Sequence, residues 1–112
     1  MQPVHRSEDD ELCGHVEERD GRWRALTVFG SELGAHDDRD AAEQQVVAEG
    51  LAVLAERWMI RNRDTGEEDV VRIVEAHDGS VTVSFGYYPE PGARTLTLTR
   101  DELASGPWGL EP

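Results

Sequence analysis

A chain of 112 residues with a hydrophobic fraction of 38% is long enough for one domain with a modest core and too short for two. Twenty-four carboxylates stand against 11 basic residues, all of them arginine, and the net charge of −13 repels nucleic acid and anionic membranes. The only cysteine, Cys13, excludes a disulfide framework within the chain, and the N-terminus has no apolar stretch typical of a secretory signal. We therefore expect a cytoplasmic protein whose charge either serves solubility alone or favours docking onto a basic protein surface.

The first eleven residues are polar, include Pro3, end in an acidic run and show no periodicity. Such a composition is typical of a solvated terminal segment. We expect a flexible acidic tail over residues 1–11 and a single α+β domain over residues 12–112.

An Asp-Gly pair, Asp20-Gly21, lies between two strand-like runs, and this is the strongest short signal for a β-hairpin. The register that this turn sets places Leu12 opposite Phe29. A short third strand then leads into a helix, so we expect a unit of three strands and a helix. The predicted strands are residues 12–18, 22–29 and 33–36.

The longest periodic segment is residues 37–58, which predict a single long helix. Asp40 is followed three residues later by Glu43, a spacing typical of a capping box at a helix start. Four apolar side chains fall within one narrow arc of this helix, and they need a surface to cover. They are Val47, Leu51, Leu54 and Trp58.

After the helix, runs of period-2 alternation separated by turn sequences indicate an antiparallel meander. The predicted registers set Trp58 opposite Arg72 and Val74 opposite Val83, and they agree on one apolar face with Arg72 as its single charged member. Thr99 and Glu102 are spaced to cap a short final helix. The predicted strands are residues 58–63, 70–76, 81–88 and 94–99, with hairpin turns at 64–66 and 78–79.

These elements predict an α+β fold in which one long helix packs on an antiparallel β-meander, preceded by an N-terminal β-hairpin. The order of strand, long helix and meander resembles cystatin-like folds. Residues 20–55 are similar to the three-strand-and-helix half of HicB-like antitoxins and of integrase arm-binding domains. Both likenesses concern topology and composition, so no site or function is transferred from them.

Arg72, on the apolar face of the predicted sheet, is the most informative local anomaly. A guanidinium there either stacks on Trp58 and pairs with a carboxylate, or grips an anionic ligand at the floor of a pocket. The candidate ligand-binding residues are Arg72, Trp58, Tyr87 and Tyr88.

The opposite face of the predicted sheet carries an apolar row with a polar rim, which is the composition of a contact surface. Left open, this face predicts a protein partner or a homodimer; the alternative is that the first hairpin or Trp108 covers it. The candidate interface residues are Met59, Arg61, Val71 and Ile73.

No catalytic motif is present: the chain has no phosphate loop, no nucleophile elbow, no zinc-protease motif and no dinucleotide fingerprint. Cys13 and His15 fall on one face of a strand, but two soft ligands do not make a metal site. We therefore predict no catalytic residues, no metal and no cofactor.

The first functional hypothesis is a small acidic, non-enzymatic interaction domain of the immunity, antitoxin or inhibitor type that binds a basic protein surface. The alternative is a domain or minor enzyme that binds a small anionic ligand in a cavity between helix and sheet. Neither hypothesis involves nucleic acid or a membrane.

Overall fold

The computed structural model describes residues 1–86 and 91–112, which form two antiparallel sheets, each with its own apolar core. The first sheet follows the chain in order as β1 (Gln2–His5), β2 (Leu12–Arg19), β3 (Arg22–Leu26) and β4 (Glu32–His36), and α1 (Arg39–Glu49) comes next. The second sheet contains β5 (Arg57–Asn62), β6 (Glu68–His77), β7 (Ser80–Phe85), β8 (Thr95–Thr99) and β9 (Trp108–Glu111) in the spatial order β8-β7-β6-β5-β9. A short helix, α2 (Arg100–Ser105), connects β8 to β9.

The predicted architecture of one long helix on the meander is wrong. The helix has 11 residues and packs on the first sheet, where it shares a core with β1, β2 and β3. The chain then leaves the helical path through a 3-10 helix, Ala52–Ala55, and Trp58 belongs to strand β5. The meander buries its own side chains without help from α1.

The apolar arc that predicted the helix face is divided among three environments. Val47 is 46% exposed, Leu51 packs on the first core, and Leu54 packs on the second. The buried face of α1 is instead made of small residues at a spacing of four: Ala42, Val46 and the cap residue Gly50. A helix that approaches its sheet this closely buries small side chains, which a search for bulky apolar residues does not rank highly.

The helix also begins earlier than the predicted capping box. Asp38 is the N-cap, and its carboxylate accepts a hydrogen bond of 2.8 Å from the backbone N–H of Ala41. The capping box predicted at the second helix is confirmed, with Thr99 and Glu102 bonding each other's backbone N–H groups.

The segment between β3 and β4 joins the two halves. Strand β3 ends at Leu26, so the predicted pairing of Leu12 with Phe29 is wrong, and Val28 and Phe29 enter the core of the second sheet. The Phe29 ring is fully buried and lies 5.5 Å from the Trp58 ring, centroid to centroid. Burying a side chain of this size contributes about 2 kcal/mol, so this insertion is a principal contact between the sheets.

The meander is present, but its register differs from the prediction by one residue over half its length. Near the turn Ala76 pairs with Val81 as predicted, whereas beyond a bulge at Val74 it is Ile73 that faces Val83. A bulge inserts one residue and reverses which side chains face inward, which alternation alone does not reveal.

The preceding hairpin has the same offset, with Trp58 facing Val71 rather than Arg72. The cause is Asn62, whose side chain accepts hydrogen bonds from the N–H groups of Asp64 and Thr65 and starts the turn one residue early.

The chain ends form strands that the sequence did not indicate. Gln2–His5, inside the predicted tail, pairs with β2, and Trp108–Glu111, where no strand is predicted, pairs with β5. By contrast, the first hairpin register around Asp20-Gly21 is confirmed, as is the strand of alternating threonine and leucine at Thr95–Thr99.

Gly50 provides a test of the close contact between α1 and β2. A Cβ at this position would overlap the carbonyl oxygen of Cys13. We expect Gly50→Ala to lower the free energy of unfolding by about 2 kcal/mol in urea titrations, because overpacking outweighs the roughly 1 kcal/mol that alanine gains in helix propensity. The control is Gly66→Ala, where φ is +77° and the Cβ has open space, with an expected loss of about 1 kcal/mol. A Gly50→Ala protein as stable as the unmodified chain would contradict this packing.

Candidate functional site

The structure places Trp58 and Arg72, the two predicted ligand-binding residues that it describes, on opposite faces of the second sheet. Trp58 is 1% exposed, and its indole Nε1 donates a hydrogen bond of 3.0 Å to the carbonyl oxygen of Val53. Arg72 lies on the outer face of the second sheet, the opposite side from Trp58, because strand alternation separates it from the buried Val71. Tyr87 and Tyr88 lie outside the described residues. Arg72 does line a shallow surface depression of ≈ 600 Å³, together with Ser84 and Thr95.

The predicted interface residues are also divided between two faces. Val71 is fully buried and Ile73 packs against the second core, whereas Met59 and Arg61 alternate outward from the buried Ile60. The one-residue offset accounts for this division. On the outer face, Met59 has Val70 as its cross-strand neighbour.

A polar cluster of His15, Asp78 and Arg100 lies where the two sheets meet. His15 belongs to β2 of the first sheet, and Asp78 is in the turn between β6 and β7 of the second. One oxygen of Asp78, Oδ1, accepts a hydrogen bond from His15 Nε2 at 3.0 Å and another from Arg100 Nη2 at 2.9 Å. The backbone N–H of Gly79 donates to the carbonyl oxygen of Val28 at 3.0 Å, so main chain and side chains join the sheets at the same place.

The charges of this cluster act on Asp78. Burial of the Asp78 carboxyl would raise its pKa, but the hydrogen bonds and positive charge of His15 and Arg100 outweigh it and hold the pKa below the ordinary 3.8. His15 is 5% exposed, and its Nδ1 has no hydrogen-bond partner. Among the described residues, no serine, threonine or cysteine side chain hydrogen-bonds to the cluster, and its bonds connect the two sheets, so its geometry supports a structural junction.

Four of the 11 arginines line a polar cleft of ≈ 750 Å³ between the sheets. Three of them are held by contacts within the chain: Arg24 pairs with Glu32 at 2.7 Å, Arg63 donates to backbone carbonyl oxygens at the end of α2, and Arg100 binds Asp78. The fourth is Arg19. These guanidinium groups serve mainly to tie the chain together.

A second concavity, which we call the β1–α1 groove, lies between the edge strand β1 and the outer flank of α1. Its volume is ≈ 400 Å³. Val4 and His5 form one wall, and Asp40, Glu43 and Val47 belong to the other. Val47 is one of three large hydrophobic side chains that are exposed among the described residues.

The groove adjoins two acidic segments of the chain. Residues 6–11, which follow His5, and residues 37–49, which include α1, together hold nine acids and two arginines, or −7 of the total −13. Both arginines are paired locally, Arg6 with Asp9 at 2.8 Å and Arg39 with Glu43 at 2.7 Å. We call these two segments the acidic rim.

Asp9 is the carboxylate of the acidic rim whose pKa its neighbours lower. The hydrogen bond from Arg6, together with the backbone N–H of Glu11, lowers the Asp9 pKa from 3.8 to about 2. The turn therefore keeps this negative charge well below neutral pH.

Cys13 and His15, which share a strand, do not converge on a ligand. The Cys13 side chain is buried in the first core, and His15 is engaged with Asp78. Over residues 1–86 and 91–112, no group of three or more histidine, cysteine or acidic side chains is placed to hold a metal ion. In the same part of the chain, no helix has the length and apolar character needed to cross a membrane.

Comparison of the chain with models of protein families, with curated proteins and with solved structures finds no match. The geometry of the groove, the rim and the junction therefore carries the functional argument.

Sequence reasoning missed both the groove and the junction. The acidic rim is readable as two dense runs of carboxylates, but Val47 was assigned to the core because its spacing fits an apolar helix face. No sequence signal connects His15 to Asp78, which is 63 residues away.

We expect the cluster of His15, Asp78 and Arg100 to contribute measurably to the free energy of unfolding. We expect Asp78→Ala to lower the free energy of unfolding by about 1 kcal/mol, because it leaves the buried His15 without its acceptor, while the exposure of Asp78 itself limits the loss. The Asp78 pKa is lowered on folding, so this contribution is present above the unfolded-state pKa of 3.8 and disappears as pH falls through the lower folded value.

The control for the junction is Glu75→Ala, which removes an exposed ion pair with His77 and is expected to change stability by less than about 0.5 kcal/mol. Urea titrations at pH 7 and at pH 3 measure both variants. Equal losses for the two variants at pH 7 would contradict a junction role for Asp78.

The turn between β1 and β2 predicts a pKa change. In Arg6→Ala, we expect the Asp9 pKa to rise from about 2 toward 3.8, because the guanidinium that favours the ionised carboxylate is gone. Carboxyl ¹³C NMR titration measures it, and Arg22→Ala, which removes a pair with Asp37, is the control. An unchanged Asp9 pKa in Arg6→Ala would show that the pair does not form in solution.

Proposed function

We propose that the protein is a small acidic, non-enzymatic interaction domain of the immunity, antitoxin or inhibitor type that binds a basic surface on another protein. The observation that supports this most directly is that basic side chains are mostly engaged within the chain and many acidic side chains are not. Among the described residues, six of the 11 arginines bind carboxylates or carbonyl oxygens of the chain itself, whereas many exposed carboxylates have no ion pair.

Within residues 1–86 and 91–112, Arg6, Arg22, Arg24, Arg39 and Arg100 make ion pairs with carboxylates of the chain itself, and Arg63 donates hydrogen bonds to backbone carbonyl oxygens. Many carboxylates have no such ion pair among the described residues, including Glu8, Asp40, Asp64 and Asp101, and all four are exposed. Because these carboxylates are not neutralised within the chain, their negative electrostatic field increases the rate of association with a positively charged surface.

Cys13 is a buried free thiol, in keeping with the reducing cytoplasm as the compartment we propose.

A second candidate is the binding of a small anionic ligand at Arg72. One observation favours it: Arg72 shares a surface depression with the hydroxyl-bearing Ser84 and Thr95. Trp58, on the opposite face of the sheet, has no part in this version. Arg72→Leu, with retained stability and lost anion binding in calorimetry, is the result that would favour it over the acidic-domain proposal.

The salt dependence of association tests the main proposal. A partner recovered from source cells on the immobilised chain is purified and its binding kinetics are measured. Between about 0.01 and 0.15 M salt the Debye length falls from roughly 30 to 8 Å. We expect the association rate to fall about tenfold or more over this range, with a much smaller change in the dissociation rate.

The matched variant changes Glu8, Asp40, Asp64 and Asp101 to their amides, which lowers the net charge from −13 to −9. Its association rate is expected to be lower at low salt and to depend less on salt. Association that is equally fast at all salt concentrations would overturn the proposal.

A further inference from the structure

We propose that the β1–α1 groove is the docking site, and that its occupant is a basic segment of a partner protein that places an apolar side chain against Val47. This inference rests on the proposed function and adds the site and the chemistry of the partner.

The apolar part of the site is formed by one valine from each wall of the groove. Val4 of the β1 wall is buried, while Val47 projects from α1 with 46% of its surface exposed. An exposed valine beside a concavity of ≈ 400 Å³ is a surface that an aliphatic side chain covers favourably. The other exposed valine, Val74, lies on the second sheet and serves as a reference position.

The charged part of the site is the acidic rim. Asp40 lines the groove and has no ion pair among the described residues, and Glu8, Asp10 and Glu11 are exposed in the adjoining turn. The rim carries −7, more than half of the net charge of the chain. Lysine or arginine beside the apolar anchor of the partner would meet carboxylates that the chain has left unpaired.

The same charge disfavours a second copy of the chain as the occupant, because two rims of −7 would face each other. Addition of a partner strand to the open edge of β1 is also disfavoured. The strand has four residues and contains Pro3, which has no N–H to donate. Recognition therefore uses side chains of the partner rather than its backbone.

The experiment uses the full ¹⁵N-labelled chain and a synthetic peptide of lysine and leucine with leucine at helical spacing. The control peptide has the same composition in scrambled order, so it has equal charge and no continuous apolar face. We expect amide shift changes concentrated at residues 4–5 and 40–48 with the patterned peptide, and weaker, dispersed changes with the scrambled one.

Two variants of equal net charge test whether binding depends on the groove or only on the overall negative charge of the chain. Val47→Asp and Val74→Asp each replace an exposed valine and each add one negative charge. We expect Val47→Asp to weaken binding of the patterned peptide about tenfold, whereas Val74→Asp leaves the affinity within about twofold. Thermal melting shows whether both variants keep the fold.

The outcomes of these experiments distinguish the groove as docking site from the proposed function as an acidic interaction domain. Salt-dependent binding that maps outside the groove, or equal losses for the two valine variants, overturns the groove and leaves the acidic-domain function standing. Dimerisation through the groove, detected by sedimentation of the chain alone, also overturns it. Failure of both peptides to bind at low salt overturns the groove and the proposed function together.

Discussion

The insertion of Phe29 beside Trp58 is the contact on which the rest of the structure depends. The chain leaves the first sheet after β3, buries Val28 and Phe29 in the second core and returns to form β4. The backbone bond from Gly79 to Val28 and the cluster around Asp78 fasten the same boundary. Because the meander obtains aromatic surface from this segment, the helix is left to cover the first sheet, and its outer flank remains available as one wall of a groove.

Local chemistry could be predicted where a few adjacent residues decide the conformation. Asp20-Gly21 and Asp78-Gly79 set the two hairpin turns because both need backbone conformations that glycine adopts without strain, and the pairings next to these turns are as predicted. The alternating leucines of β8 and the capping box at Thr99 could also be predicted from adjacent residues. Each depends on contacts within a few residues.

Long-range assignments could not be predicted, and the reason differs from case to case. Which sheet α1 packs on depends on the size of its buried residues. Ala42, Val46 and Gly50 are small enough for the helix to approach the first sheet closely, and a pattern of hydrophobic residues does not reveal this. The faces of β6 depend on the bulge at Val74, which has no composition signature. At the candidate site the carboxylate runs are visible in the sequence, but the groove exists only because β1 forms from a segment that reads as a tail.

The position of Phe29 has a consequence for dissection of the molecule. A fragment that stopped near residue 50 would carry a large aromatic ring with nothing to receive it, and the complementary fragment would hold a vacancy beside Trp58. We infer that neither sheet would fold as an independent unit. A chimaera in which one sheet is replaced would have to replace Phe29 and the residues that contact it together.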